Sequence, residues 1–150
     1  MDQDLRDLQE RYKGLCELLG HAPAYSYQRQ LQTRPLMDGA PHVELNDGQY
    51  EYVVTERGRE LERRTARDQD ELLYWLMSDV TVGVAIELDA QRLFRTGDAR
   101  RWWFAKDVEL LSGLRREWGD RKRAEYAQVL SRNPYLDQKA SGKRGWRFWG

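Results

Sequence analysis

The stretch that decides the fold is HVELNDGQYEYVVTERGRELERR, residues 42–64. Apolar and polar residues alternate along it, and a period of two is typical of half-buried β-strands. Asp47 and Gly48 form a strong two-residue turn signal, because both turn positions need a positive φ angle. Pairing outward from this turn places Leu45 opposite Tyr50, and the next apolar pair follows on the same face. The stretch therefore predicts a β-hairpin with one apolar face.

The opposite face of this hairpin carries a pair of like charges. The same register sets Glu44 opposite Glu51, and two carboxylates directly across a sheet cost stability. Arg57 and Gly58 can form a second tight turn, whose register would bring Arg64 opposite Glu51 and relieve the acidic pair. The pattern thus predicts a three-stranded meander with one apolar and one charged face.

Helical patterns flank the meander on both sides. Residues 4–19 predict a helix that Gly20 can end in the left-handed conformation. Residues 100–114 predict another, and Asn133 with Pro134 terminates a last one. The apolar stripe of the first helix is Leu5, Leu8, Tyr12, Leu15, Leu18 and Leu19.

A longer helix starts after the meander. Asp68 is a good capping residue, and Glu71 three positions later completes a start that resembles a capping box. An apolar stripe at helical spacing then runs from Leu72 to Leu88. Residues 80–86 are rich in β-branched side chains and are alternatively a buried strand, but the flanking helical period favours the helix.

These elements define an α+β fold, in which a small antiparallel three-stranded β-meander packs against three to four α-helices and the C-terminal half is rich in helix. The length of 150 residues suits one domain. We expect a single globular domain over residues 1–136. Residues 137–150 mix Lys and Arg with Trp and Phe and predict a basic aromatic tail.

The overall composition excludes several classes of protein. The 25 basic residues balance the 25 acidic ones, so the chain has no surplus positive charge for generic binding to phosphate backbones. The mean hydropathy is −0.89, and no apolar run is long enough for a membrane span. The single cysteine, Cys16, cannot form an internal disulfide, which favours a reducing, cytoplasmic location.

Residues for catalysis are sparse. His21 and His42 lie in or beside connecting segments. A Cys16 nucleophile would need a histidine partner, and the sequence gives no local sign of such a pair. Glu87 falls on the apolar stripe of the long helix, where we expect a structural ion pair with a basic residue at the start of the next helix, Arg100 or Arg101. No spacing typical of a metal, phosphate or dinucleotide site occurs. We expect no enzymatic activity, no cofactor and no metal.

The balanced charge is strongly segregated along the chain. Residues 44–56 carry only acids, and residues 57–67 carry five Arg against two Glu. Residues 68–90 carry six acids and no base, whereas residues 91–123 carry ten bases and five acids. Such blocks either complement each other within the fold or leave one block as an exposed face for a charged partner.

Four short stretches resemble the immunity protein 63 family of polymorphic-toxin immunity proteins. They are YVVTERGRELERR (residues 52–64), DELLYWL (residues 70–76), FAK (residues 104–106) and ELL (residues 109–111). The resemblance spans roughly residues 49–137. It implies a non-enzymatic inhibitor that binds a cognate bacterial toxin, and it assigns no binding residue.

Charge segregation suggests where such a partner would bind. Many toxins are nucleases with basic clefts, which an acidic surface can fill. The candidate partner-binding residues are Glu44, Asp47, Glu51, Asp68, Asp70, Glu71 and Asp79. Two alternatives stay open: a regulatory or scaffold domain without a toxin, and a weak nucleic-acid-binding module that uses the Arg-rich strand and the tail. The balanced charge disfavours nucleic acid, and the aromatic residues leave a homodimer open.

Overall fold

The computed structural model describes residues 2–136, so the predicted tail at residues 137–150 lies outside the described residues. The described part is an α+β fold with one three-stranded antiparallel sheet and four α-helices, which confirms the predicted fold class. The elements are α1 (Gln3–Leu19), a short 3-10 helix (Ser26–Arg29), β1 (Asp38–Asn46), β2 (Gln49–Glu56), β3 (Arg59–Thr65), α2 (Gln69–Ala90), α3 (Arg100–Leu114) and α4 (Arg116–Arg132).

The chain divides into two compact units within α2, one ending at Gly83 and the other starting at Val84. The first unit contains α1, the sheet and most of α2, and the second contains α3 and α4. That residues 1–136 form a single domain stays a prediction.

The first hairpin has the predicted register. Asp47 and Gly48 both have positive φ angles, 52° and 76°, as the tight turn requires. Leu45 pairs with Tyr50, and Glu44 pairs with Glu51 across the sheet. The local chemistry of the turn therefore specified the pairing of β1 with β2.

The second hairpin has the predicted turn but not the predicted register. Arg57 and Gly58 have positive φ angles, 51° and 79°. Two pairs beyond this turn the register shifts, so that Val54 pairs with Glu62 and Leu61 is the extra residue of a β-bulge. The predicted pairing of Glu51 with Arg64 is therefore wrong.

The bulge exchanges the faces of two arginines, because successive side chains on a strand point to opposite faces. Arg64 pairs with Tyr52 instead of Glu51, and Arg63 pairs with Val53. As a result, Arg63 lies next to Glu44 and Glu51. In the predicted register, which has no bulge, Arg64 would lie there instead.

The core of the first unit joins α1, the sheet and α2. Leu8 and Tyr12 of α1 are buried, and the Tyr12 hydroxyl donates to the Gln28 carbonyl at 2.6 Å. The predicted stripe of α1 is too wide, because Leu18 at its C-terminal end is exposed. On α2, the residues from Leu72 to Met77 are buried except Trp75, which is partly exposed.

The start and the continuity of α2 follow the prediction. The Asp68 side chain accepts from the Glu71 backbone N–H at 2.8 Å, and Glu71 accepts in turn from the Arg67 backbone N–H at 2.9 Å. Residues 80–86 are helical, so the strand alternative is wrong. A central helix can carry this many β-branched residues because burial on most of its faces outweighs their weak helix propensity.

The second unit is held by aromatic packing between α3 and α4. The Phe104 and Tyr126 rings stack with centroids 3.8 Å apart. The Tyr126 hydroxyl donates to Oδ2 of Asp107, a carboxylate that is fully buried. Helix α4 ends where predicted, and the Asn133 backbone N–H donates to the Val129 carbonyl at 2.8 Å.

Candidate functional site

The seven predicted acids lie on two elements of the fold, the first hairpin and α2. Glu44 and Glu51 lie side by side on one face of the sheet, and Asp47 is exposed at the tip of the first hairpin. Asp68, Asp70 and Glu71 lie at the N-terminal end of α2, and Asp79 lies in its middle. Each group has a different environment, so each is described by itself.

The pair Glu44 and Glu51 is bridged by Arg63. One guanidinium nitrogen, Nη1, lies 3.1 Å from a carboxylate oxygen of each acid. Its other amino nitrogen, Nη2, lies 2.7 Å from Glu60, so Arg63 bridges three carboxylates. The hydrogen bonds with Glu60 and Glu44 raise the pKa of Arg63, and the bond with Arg63 lowers the pKa of Glu60. One positive charge against three negative ones relieves the repulsion within this part of the predicted acidic surface but leaves it acidic.

Glu44 also accepts a hydrogen bond from a buried histidine. Nε2 of His42 donates to Oε2 of Glu44 at 2.8 Å. This bond, together with those from Arg63 and Asn46, lowers the pKa of Glu44 to about 2 against a smaller opposing effect of burial. His42, one of the two histidines considered as a catalytic base, here orients and stabilises a carboxylate of the sheet.

The acids at the start of α2 have partners from α1 and from their own cap. Arg11 of α1 donates to Gln69 and to Asp70, each at 2.5 Å. Glu71 and Asp68 take part in the cap of α2 and lie near the Arg67 guanidinium. About half of the Asp68 and Asp70 side-chain surface remains exposed, 55% for each.

Asp79 has a structural partner on the sheet. The Tyr52 hydroxyl donates to Oδ2 of Asp79 at 2.7 Å. Burial, reinforced by the Asp79 charge, raises the pKa of Tyr52, so the phenol stays protonated and remains a donor. Asp79 thus ties α2 to β2 across the core of the first unit.

Two other residues considered in the sequence analysis are Cys16 and Glu87. Burial raises the pKa of the Cys16 thiol, which disfavours the reactive thiolate. Glu87 is exposed and does not lie in the core, contrary to the prediction. The buried acid of that turn is Asp89. The described residues, 2–136, contain no cluster of His, Cys, Asp and Glu that could hold a metal ion.

Among residues 2–136, the most exposed large apolar side chains lie in a segment for which the sequence analysis predicted no role. Residues 91–99 connect α2 to α3, and we call them the 91–99 loop. Leu93 is 90% exposed and Phe94 is 85% exposed. Two adjacent large apolar side chains in water are uncommon on a protein that binds nothing.

Asp89 organises the arginines on either side of this apolar pair. Its carboxylate is 2% exposed and lies 2.9 Å from Nη1 of Arg92 and 2.7 Å from Nη2 of Arg95. The Arg92 guanidinium also packs over the Trp102 ring, 4.7 Å from its centroid. The loop thus presents an apolar tip between two oriented cations.

The fold and these surfaces are those of a small α+β protein with paired carboxylates and an exposed apolar loop. A family model described as Immunity protein 63 matches residues 46–128, which is more than half of the chain. The chain belongs to this family, as the resemblance predicted, and in that general sense it is an immunity protein. Searches of curated proteins and of solved structures gave no match.

The family match starts inside the first hairpin. It therefore leaves out α1 and nearly all of β1, although both contribute buried side chains to the first unit, among them Leu8 and Val43. It does include the 91–99 loop. None of the helices in the described part of the chain is both long and apolar enough to cross a membrane.

Proposed function

We propose that this protein binds a cognate bacterial polymorphic toxin and neutralises it by non-covalent inhibition in the cytoplasm. The observation that carries the proposal is membership of the Immunity protein 63 family. Inhibition of this kind needs a complementary surface and no reactive group. The exposed carboxylates and the exposed apolar loop support the proposal, and His42 has a structural role beside Glu44.

The acidic-surface hypothesis is best supported at three residues. Asp47, Asp68 and Asp70 are exposed residues. The side chains of Asp68 and Asp70 are each 55% exposed, against 30% for Glu44 and 15% for Glu51. If the toxin is a nuclease with a basic cleft, these three aspartates are the ones that would speed its association by electrostatic attraction.

The nucleic-acid alternative has less support from the described residues. Two of the three arginines of β3 are engaged within the protein, Arg63 with three carboxylates and Arg64 with Glu62 and two aromatic rings. Because Arg63 is outnumbered by its carboxylates and Arg64 is matched by Glu62, neither supplies the surplus positive charge that binding to phosphates needs. A scaffold domain without a toxin remains the principal alternative.

Co-expression tests the proposal directly. The probe is the product of the adjacent gene, induced in a sensitive strain with and without this protein. We expect this chain to restore growth and to co-purify with a catalytically inactivated form of the toxin. Growth arrest despite full expression of the folded chain would refute toxin neutralisation and favour the scaffold alternative.

A further inference from the structure

The 91–99 loop has the features of a preformed binding element. Leu93 and Phe94 form its tip, and the Arg92 guanidinium donates to the Phe94 carbonyl at 3.4 Å. The backbone N–H groups of Gln91 and Arg92 donate to the last carbonyls of α2, at 3.2 Å and 3.1 Å. These bonds, and the ion pairs of Asp89 with Arg92 and Arg95, fix the end of the loop that follows α2.

The other end of the loop is fixed as well. The Asp98 carboxylate accepts from the Arg100 side chain and from the Leu136 backbone N–H, both at 2.8 Å. These hydrogen bonds, led by that from Arg100, hold the pKa of Asp98 below its usual range, so its charge persists. A loop anchored at both ends loses less conformational freedom when a partner binds its tip.

The surroundings of the tip are basic. The two arginines beside it, Arg92 and Arg95, share the single Asp89 carboxylate, which leaves a net charge of +1 there, whereas Lys106 is paired with Glu109 at 2.6 Å. Arg92 and Lys106 both lie over the Trp102 ring, with the charged groups 4.7 Å and 5.5 Å from its centroid. An apolar tip with such a border is complementary to an apolar pocket that has carboxylates at its rim.

The apolar groove of the second unit is a poor match for the tip of a second copy of this chain. The apolar groove of the second unit, about 370 Å³ in volume, is lined by Phe104, Tyr126 and Leu130 but also by Arg101 and Arg123. A tip flanked by arginines would meet like charge there, which costs binding energy. The charge pattern therefore favours a different, acidic partner.

We infer that the 91–99 loop is the principal anchor on the toxin, with Leu93 and Phe94 entering an apolar pocket whose rim carries Asp or Glu. This inference rests on the proposed function and adds a binding surface and the chemistry of its partner. Arg92 and Arg95, oriented by Asp89, face the acidic rim. Large apolar side chains and arginine are the residues that contribute most at protein interfaces.

The test compares loop variants with a matched control on the other unit. The double variant Leu93→Ser/Phe94→Ser should weaken binding to the inactivated toxin by ~30-fold or more, the loss expected of a hot spot. Arg95→Gln leaves Arg92 as the partner of the buried Asp89 and should weaken binding by a larger factor at low salt than at high salt. Leu18→Ser removes another exposed apolar side chain, 64% exposed, and should bind like the wild type.

All variants are compared by circular dichroism and thermal unfolding, since exposed side chains should leave the fold intact. If the wild type protects and the loop variants bind equally well, the loop inference is overturned and the proposed function stands. If the wild type neither protects nor binds, both are overturned. If the double variant instead abolishes a homodimer seen by sedimentation, the tip is a self-association surface and the toxin assignment fails.

Discussion

The β-bulge at Leu61 makes a sharp prediction about which residue Arg64 interacts with. In the observed register the Arg64 guanidinium lies between Tyr52 and Trp75, with its carbon 4.4 Å and 4.5 Å from the two ring centroids. In the uninterrupted register Arg64 would lie opposite Glu51. A double-mutant cycle distinguishes the two arrangements, because it isolates the energy of one pair.

The expected magnitude follows from the geometry. A cation over a tryptophan ring contributes about 0.5–1 kcal/mol at an exposed site and more when it is desolvated. The Arg64 side chain is 41% exposed, so we expect the lower range. The cycle with Arg64→Met and Trp75→Leu should therefore give a coupling of about 0.5–1 kcal/mol. The same cycle with Arg64→Met and Glu51→Gln should give a coupling near zero.

The assay is urea unfolding followed by both circular dichroism and tryptophan fluorescence. Coincident transitions by the two probes justify a two-state treatment of each variant. The ion pair of Arg64 with Glu62, at 2.6 Å, is lost whenever Arg64→Met is introduced, in the wild type and in the second variant alike. Its energy therefore drops out of the coupling energy. Stronger coupling of Arg64 to Glu51 than to Trp75 would show that β3 is in the uninterrupted register and would refute the bulge.

Two further predictions concern acid stability and the packing of α4. Because the pKa of Glu44 falls from its ordinary 4.5 to about 2 in the fold, its contribution to stability is complete above pH 4.5 and is lost as the pH falls towards 2. In Glu44→Gln, the free energy of unfolding should therefore fall less steeply between pH 4.5 and pH 2 than in the wild type. An equally steep fall would show that Glu44 does not have this low pKa. In Gly119→Ala the new Cβ would overlap Ser112 Oγ and lie 3.0 Å from Ser112 Cα, so we expect a loss of about 1–3 kcal/mol in thermal unfolding. The control Gly14→Ala, with open space around it in α1, should stabilise the helix by about 0.5–1 kcal/mol, and equal effects of the two substitutions would be inconsistent with close packing at Gly119.

The ion-pair partners of the candidate acids could not be predicted from the sequence, because they lie far away along the chain. The acids at the start of α2 have no base within their own segment, yet Arg11, 59 positions before Asp70, pairs with that carboxylate. An ion pair of this kind depends on how α1 packs, which no local pattern reports. The acidic-surface hypothesis therefore overestimated how much negative charge is uncompensated.

The 91–99 loop was missed for a related reason. Leu93 and Phe94 are apolar, and in a sequence such residues are read as core until a structure shows that nothing covers them. Glu87 shows the converse error, since its spacing suggested burial but the buried acid is Asp89, two residues later. The sequence does place Leu93 and Phe94 between Arg92 and Arg95. This pattern indicates a binding surface only once the two apolar side chains are known to be exposed.

Features that depend on a few neighbouring residues could be predicted from the amino-acid sequence. These are the two tight turns, the register of the first hairpin, the capped start of α2, the end of α4 at Asn133 and the family to which the chain belongs. Turn angles and caps are local, so the residues that make them suffice. The bulge at Leu61, the partners of the acids and the exposure of the 91–99 loop became visible in the folded chain. Each of these is a balance among groups distant in sequence, and packing alone brings such groups together.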